Sequence, residues 1–560
     1  MTNVLNKMRA VVLVIGLSIF ASGCSDFLEA DPDSALNQEL LYNDYKDIFP
    51  IKFGMYDILQ QLVDQMFVIG ECPADLVVSG PGAIGKYRDV AEFIDNNVYP
   101  SNQYLDKSGF YQLINHCNDA LVRLPKLYDN NPVWVNSTIN SGMKGEHIYN
   151  MVVAEILWGR AFAYVQLIKN WGDVPFFTEP MYTAEDVKKS MDAAPTDRNV
   201  ILDQLEKDML WAVNNAWVNW NWTNYISGAW NHQTVNGCSA IGLLAEVYLM
   251  RHKYEDAYSA NCLLRITKPG YRSPILNENF NDSWSIGGAS MNSGRTWQYG
   301  LFRMGNEQNQ GNLWQEQGLV LAFDIESVSE GGQYKEFHSI TKWSNNRVED
   351  GGEYVIKPSH LSYMKWMENM DRWRGVNASV TVDTFAGRFD SIVWKHLGLN
   401  NNNGSRNRNQ RRGLDRTTGI GNVHVLRTAD LWLKAAECAN RLGLTSDALD
   451  IVNQIRGRVG VMRIPLGADA TIEELEDAIM EERAMELAFE SYRWHDLVRV
   501  SRTRNDASFL IDRVVEKELD PVKKEQLRAR LELRATAPNP YDWFLLPEAS
   551  RTSYYTPAAN

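Results

Sequence analysis

The chain has 560 residues, 44% of them hydrophobic, and a formal charge of −14 at pH 7. That length supports a sizeable core, and that charge excludes a nucleic-acid partner, which needs a concentrated Lys/Arg surface to displace counterions from phosphate. The one basic cluster, Arg406 to Arg416, lies in the Asn/Gly tract LGLNNNNGSRNRNQRRG and reads as a solvated loop. Six cysteines without CxxC spacing argue against a disulfide framework or a zinc site, and Cys72, Cys117, Cys238, Cys262 and Cys438 read as small buried thiols. The 18 Trp, 24 Tyr and 19 Phe supply a core and leave rings to weigh as ligand platforms.

At the N-terminus, Lys7 and Arg9 precede an apolar run from Ala10 to Ala21, too short to cross a bilayer that needs about 20 residues. This is the pattern of a secretory signal. Ala21-Ser22-Gly23-Cys24 then resembles the lipobox at which bacterial lipoproteins are cleaved and acylated, with Ala21 where leucine is usual. Residues 1–23 are therefore expected to be a signal peptide and Cys24 the lipid attachment, against the plainer reading of a secretory peptide with a chance cysteine. Ser25-Asp26 and the acidic residues beyond resemble the signal that sends lipoproteins of Bacteroidetes-type bacteria to the exterior of the outer membrane.

Residues 26–45 read as an extended arm leading to a first helix near Tyr42 to Met66. The passage CPADLVVSGPGAIGKYRD follows, and Gly80 to Gly85 fits GxGxxG while Gly80 to Lys86 nearly fits a phosphate loop. Both motifs require a strand before and a helix after, within alternating strands and helices, and the phosphate loop needs Ser or Thr where Tyr87 stands. An ordered surface loop is the expectation. From Gly145, the residues Val153, Leu157, Ala161, Val165 and Ile168 recur at helical spacing up to a stop at Trp171-Gly172-Asp173-Val174-Pro175. Helices are also predicted over Val200 to Asn215, around Ile241, Leu244, Ala245 and Tyr248, and over 254–266.

Between Tyr271 and Val425 the helical rhythm lapses into a stretch rich in Gly, Asn, Ser and Trp, in which only Pro358 to Trp373 reads as helical. A long insertion of this kind is usually functional when ordered. Beyond it, Leu431, Ala435, Ala439 and Leu442 line one helix ended by Gly443, and Ala448, Ile451, Ile455 and Val459 line its partner. Thr471 to Val500 is predicted as one long final helix with Ala484, Leu487 and Ala488 turned inward. The fold class is thus mostly α, with tetratricopeptide-like helix pairs and a long irregular, loop-rich insertion. It divides as 24–270 helical, 271–425 irregular and 426–560 helical, expected to pack as one compact unit.

Several stretches, in this order, carry a family resemblance: DFLEADPD at 26–33, AEILWGRAFAYVQLIKNWGDVPFF at 154–177, LLAEVYLMRHKYEDAYSA at 243–260, LRTADLWLKAAECANRLG at 426–443, ALDIVNQIRGRVG at 448–460, EERAMELAFESYRWHDLVRV at 481–500 and LLPEA at 545–549. Together they resemble the SusD/RagB family of outer-membrane lipoproteins. Ser491 stands where that family favours glycine. The resemblance implies a lipid-anchored protein on the outer membrane, facing the exterior, that captures oligosaccharide and delivers it to a SusC-like TonB-dependent transporter, with no catalysis and no cofactor. Some relatives take up peptides, which keeps a peptide ligand open, and a surface glycoside hydrolase is the enzyme alternative.

Glu482, Glu486 and Glu490, spaced by four, read as a structural row neutralised by Arg493 and by an arginine of the adjacent helix such as Arg427. Glycoside hydrolysis would instead need two carboxyls facing each other across a sugar. His495 beside Asp496 has no HExxH, GxSxG or metal cluster around it, so no metal site is expected. Glycans present apolar faces edged with hydroxyls, which calls for exposed rings flanked by Asn, Asp, Gln or Arg. By that chemistry the candidate ligand residues are Tyr87 with Asp75 and Arg88, Trp314 with Asn312, Trp343 with Asn345 and Asn346, and Tyr354, while Trp158, Trp171, Trp432 and Trp494 read as core.

Overall fold

The computed structural model describes residues 47–130, 145–216, 234–259, 317–321, 340, 343, 352–362, 378–383, 388–393, 423–458 and 462–550. The signal peptide, Cys24 and the arm at 26–45 lie outside them. Within the described residues the first helix breaks at Leu62, giving α1 (Ile48–Gln61) and α2 (Val63–Gly70). Residues 108–130, unassigned by the sequence reading, form α4 (Ser108–Asn130) in spite of Pro125, after the short α3 (Arg88–Ile94). The amphipathic pattern of α4 buries Phe110, Leu113, Ile114, Cys117 and Leu124 against α5 (Gly145–Trp171).

Helix α5 is the axis of the N-terminal half. Its span Ile148–Trp171 is apolar enough to cross a membrane, yet 89% of the most apolar window is buried inside the fold. A helix apolar on all sides belongs in a core. Here it is flanked by α1, α4, α7 (Arg198–Asn215) and α8 (Gly237–Met250), after the short α6 (Ala184–Met191). The helix stops as the sequence predicts, with Gly172 at φ +76°. Ile241, Leu244, Ala245 and Tyr248 are buried on α8, as their spacing implies. Helix α9 (Tyr254–Tyr258) begins where the helix over 254–266 was expected but ends before Ser259, and residues 260–266 lie outside the described residues.

The described residues of the insertion include short strands, which the sequence did not suggest. The strands pair as two-stranded antiparallel ribbons: β1 (Val77–Ser79) with β3 (Ile356–Pro358), β2 (Gln317–Leu321) with β6 (Val423–Arg427), and β4 (Ala378–Asp383) with β5 (Arg388–Val393). Runs such as ASVTVD and RFDSIV have the β-branched and aromatic alternation of strands, which the Gly/Asn background concealed. Pro358 ends β3 and does not open a helix; the described helical residues there start at His360.

The C-terminal half opens with α10 (Thr428–Arg441) and α11 (Thr445–Arg458), a hairpin of helices turned by Gly443 at φ +73°. Leu431, Ala435 and Ala439 are buried but Leu442 is 38% exposed, because it already lies past the last turn. Val459 lies outside the described residues. The long helix expected over 471–500 is two: α12 (Ile472–Glu486) and α13 (Arg493–Arg504). Thr471 opens α12 through a reciprocal capping box with Glu474. The break at 487–492 carries Phe489 at φ +62° and Ser491 at φ +69°, and neither Gly nor Pro marks it in the sequence. It is also not the last helix: α14 (Ser508–Val515) and α15 (Pro521–Leu533) follow, the latter opened by Asp520 and by Pro521 at its first position.

Candidate functional site

The loop between α2 and α3 is laid against the segment preceding β3. The β1–β3 register, Val77 on Pro358 and Ser79 on Ile356, continues as Gly80 N donating to Val355 O at 2.8 Å and Gly82 N donating to Tyr354 O at 2.9 Å. A Cβ on Gly80 would lie 2.2 Å from Tyr354 O, and one on Gly82 would lie 1.7 Å from Glu353 O. These glycines therefore serve close backbone approach. A strand does precede the run and a helix follows it, but β1 pairs antiparallel in a two-stranded ribbon, outside the unit that positions phosphate in nucleotide-binding folds.

This packing brings together residues far apart in sequence. Tyr87 donates its hydroxyl to Glu353, and Lys86 Nζ reaches the other carboxylate oxygen at 3.0 Å while sitting 4.7 Å over the Tyr87 ring. Trp343 meets Tyr87 edge-on, with centroids 6.2 Å apart at 77°. Tyr354, at φ +46°, donates to Ser391 O at 2.8 Å and so ties the ribbon to β5. Tyr87 and Tyr354 are half-buried, whereas Trp343 is 2% exposed and supports Tyr87 from beneath. Arg88 extends outward from the start of α3, with Nε 3.1 Å from Glu92 and the guanidinium 5.7 Å from the Tyr99 ring centroid.

Asp75 departs from its expected place at the ligand surface. It is buried, and Arg493 donates Nε and Nη2 to its two oxygens at 2.7 Å each. A carboxylate held in this way is a structural partner. Asn312, Trp314, Asn345 and Asn346 lie outside the described residues. The sequence reading missed Glu353 and Tyr99. Glu353 adjoins Tyr354 in GGEY and Tyr99 precedes Pro100, but nothing in the sequence pairs either with the loop at 84–88.

The C-terminal half holds both ends of the loop. Lys517 Nζ donates to the carbonyls of Ala74 and Ile94 at 2.8 Å and of Pro73 at 3.2 Å, and burial pulls its pKa down to about 8. Asn96 Nδ2 donates to Pro73 O, and Arg534 Nη1 donates to Asn96 Oδ1. Glu71, at the end of α2, accepts from Phe489 N at 2.8 Å and Ser491 N at 3.1 Å, so one carboxylate satisfies the turn that separates α12 from α13.

The glutamate row is fully engaged. Arg427 bridges Glu486 at 2.8 Å and Glu490 at 2.6 Å, as expected, and although burial pulls its guanidinium down, those two charges hold it above the ordinary range. Glu482 pairs with Arg456 at 2.8 Å. Arg493 is not in this row, having turned to Asp75. Asp496 is bound by Arg483 and Arg499, whose charges outweigh burial and keep its carboxyl below the usual range, and burial holds His495 neutral beside Lys169. These carboxylates lie buried against their cationic partners. Among the described residues, no group of three or more His, Cys, Asp or Glu side chains could hold a metal ion.

Residues 365–557, which include this arginine-rich network, match the profile of the SusD family. Along most of its length the chain is 25% and 23% identical to two SusD-like proteins of Formosa agariphila, covering 88% of this chain and 90% of each relative. Over residues 365–557 the chain is thus similar to the SusD family. Solved SusD-like folds agree with its architecture. A SusD superfamily protein from Bacteroides vulgatus superposes with a TM-score of 0.61 at 16% identity, covering 90% of this chain and 96% of its own. A laminarin binding SusD-like protein gives 0.60 at 20% identity, covering 86% and 96%. The mostly helical class holds.

Proposed function

We propose that this protein is a SusD-like, lipid-anchored glycan-binding protein of the outer-membrane exterior, attached through Cys24, which captures an oligosaccharide and passes it to a SusC-like TonB-dependent transporter. The observation that carries this reading is the meeting of Tyr87, Trp343 and Tyr354 at one ribbon, in a fold shared with a laminarin binding protein. A half-buried ring edged by Lys86, Glu353 and Arg88 offers an apolar face with donors and acceptors beside it, which is what a sugar ring matches. Covering ~100 Å² of apolar surface contributes about 2.5 kcal/mol. Two such platforms, less the cost of ordering a ligand, leave weak binding, and weak binding suits a protein that hands its ligand on. Asn312, Trp314, Asn345 and Asn346 belong to the same proposal, as residues of the insertion that would line the ligand.

The test is affinity electrophoresis of the purified protein through gels carrying a panel of polysaccharides, with Tyr87→Ala run beside it. Retardation by one glycan, reduced about tenfold or more in apparent affinity by the substitution, is the expected result. Retention of peptides and of no glycan would replace the ligand class, and unimpaired uptake in a deletion strain would remove the delivery role.

A further inference from the structure

The charges around Tyr87 are arranged asymmetrically. Glu92 is buried, with one oxygen on Arg88 Nε and the other accepting from Asn102 Nδ2 at 2.9 Å and Tyr99 N at 3.3 Å. Glu353 is occupied by Lys86 and Tyr87, and Asp89 accepts from Gln103 N at 3.0 Å. The nearby carboxylates are thus turned into the protein and engaged there. Their cationic partners stay open to solvent: the side chains of Lys86 and Arg88 are 72% and 70% exposed, in a chain whose net charge is −14.

Two contacts also direct Arg88. Glu92 fixes its Nε, and the Tyr99 ring, itself 46% exposed, lies under its guanidinium; Glu92 positions Tyr99 through the backbone, and Asn97 donates to the Tyr99 hydroxyl at 3.1 Å. Among the described residues neither Nη group meets an acceptor. A guanidinium braced at Nε and stacked on a ring presents its Nη pair as a planar fork, which matches the two oxygens of a carboxylate or sulfate. Neutral hydroxyls do not require such a charge.

Resting on the glycan reading above, we propose that Arg88, stacked on Tyr99 and braced by Glu92, reads an acidic group on the bound glycan, so that the ligand is an anionic polysaccharide carrying uronate carboxylates or sulfate esters. Lys86 supplies a second, undirected positive charge at the same loop.

The experiment is titration calorimetry of the full-length chain in detergent with three probes: polygalacturonate for carboxylates, a sulfated galactan for sulfates and laminarin as a neutral glucan. One acidic probe should bind at least tenfold more tightly than laminarin and weaken as salt is raised, and whichever it is names the acidic group. Arg88→Gln should lower that affinity tenfold or more without moving the melting temperature, and Arg88→Lys should restore only part of it because the fork is lost. Laminarin binding as tightly as either acidic probe, or acidic binding unchanged in Arg88→Gln, overturns this inference and leaves the glycan reading standing. If none of the probes nor any polysaccharide in the gel panel binds, the glycan reading falls and this inference with it.

Discussion

The ammonium of Lys517 sits among three carbonyls and, among the described residues, touches no carboxylate, although Asp95, Glu518 and Asp75 lie near enough to favour its charge. Burial outweighs them. A free lysine titrates near 10.4, and this one near 8, so between those values the unfolded chain carries the extra proton and the group adds stability as pH rises. Below pH 8 the cost is felt in full, on the order of 3 kcal/mol. Lys517→Met should lose this dependence. In urea melts from pH 7 to 10, the wild type should gain on the variant by that order, and a constant difference between them would contradict the assignment. The buried thiols of Cys72 and Cys117, pushed up by burial, oppose the trend but are common to both proteins. At the same scale, Ser491 holds a backbone conformation better suited to glycine. Its φ of +69° is one that glycine adopts without strain and serine does not.

Among elements, the short β1–β3 ribbon positions the candidate site. Gly82→Ala would force a Cβ onto Glu353 O, displacing the acceptor of Tyr87 and Lys86 together with the backbone pairing. Glycan affinity should fall at least as far as in Tyr87→Ala while the far-ultraviolet signal of the helices is retained. Retained affinity would show that the ribbon does not set the site. The helices were largely legible because apolar residues at helical spacing, with Gly172 and Gly443 as stops, need only local information. The break at 487–492 was not, since its cause is Glu71, more than four hundred residues away. The ribbons were missed for a related reason: a strand of three residues such as Val77–Ser79 has too little alternation to read, and its partner begins at Ile356. The site was half legible. Ring chemistry picked out Tyr87 and Tyr354, which keep some exposure, but chemistry alone could not separate Asp75, spent on Arg493, and Trp343, buried against Tyr87, from the open Arg88.

Across the whole molecule, the loop bearing the candidate site belongs energetically to the C-terminal half. Arg493, Lys517 and Arg534 reach back to Asp75, to the carbonyls of Pro73, Ala74 and Ile94, and to Asn96, and Glu71 returns the contact to 489–491. Site and C-terminal helices should therefore open as one cooperative unit. Native-state hydrogen exchange checks this: the amides of Gly80 and Gly82 should exchange with the same free energy and denaturant dependence as those of α13, and markedly faster exchange at the two glycines would make the ribbon an independent flap. The interlock also has a consequence for the order of assembly. A ribosome delivers residues 71–96 long before 489–534 exist, so the segment that would meet the ligand is made early and set last, after the slow closure of a very long loop of chain. A nascent polypeptide stopped short of Lys517 would hold most of its helices and no finished binding surface.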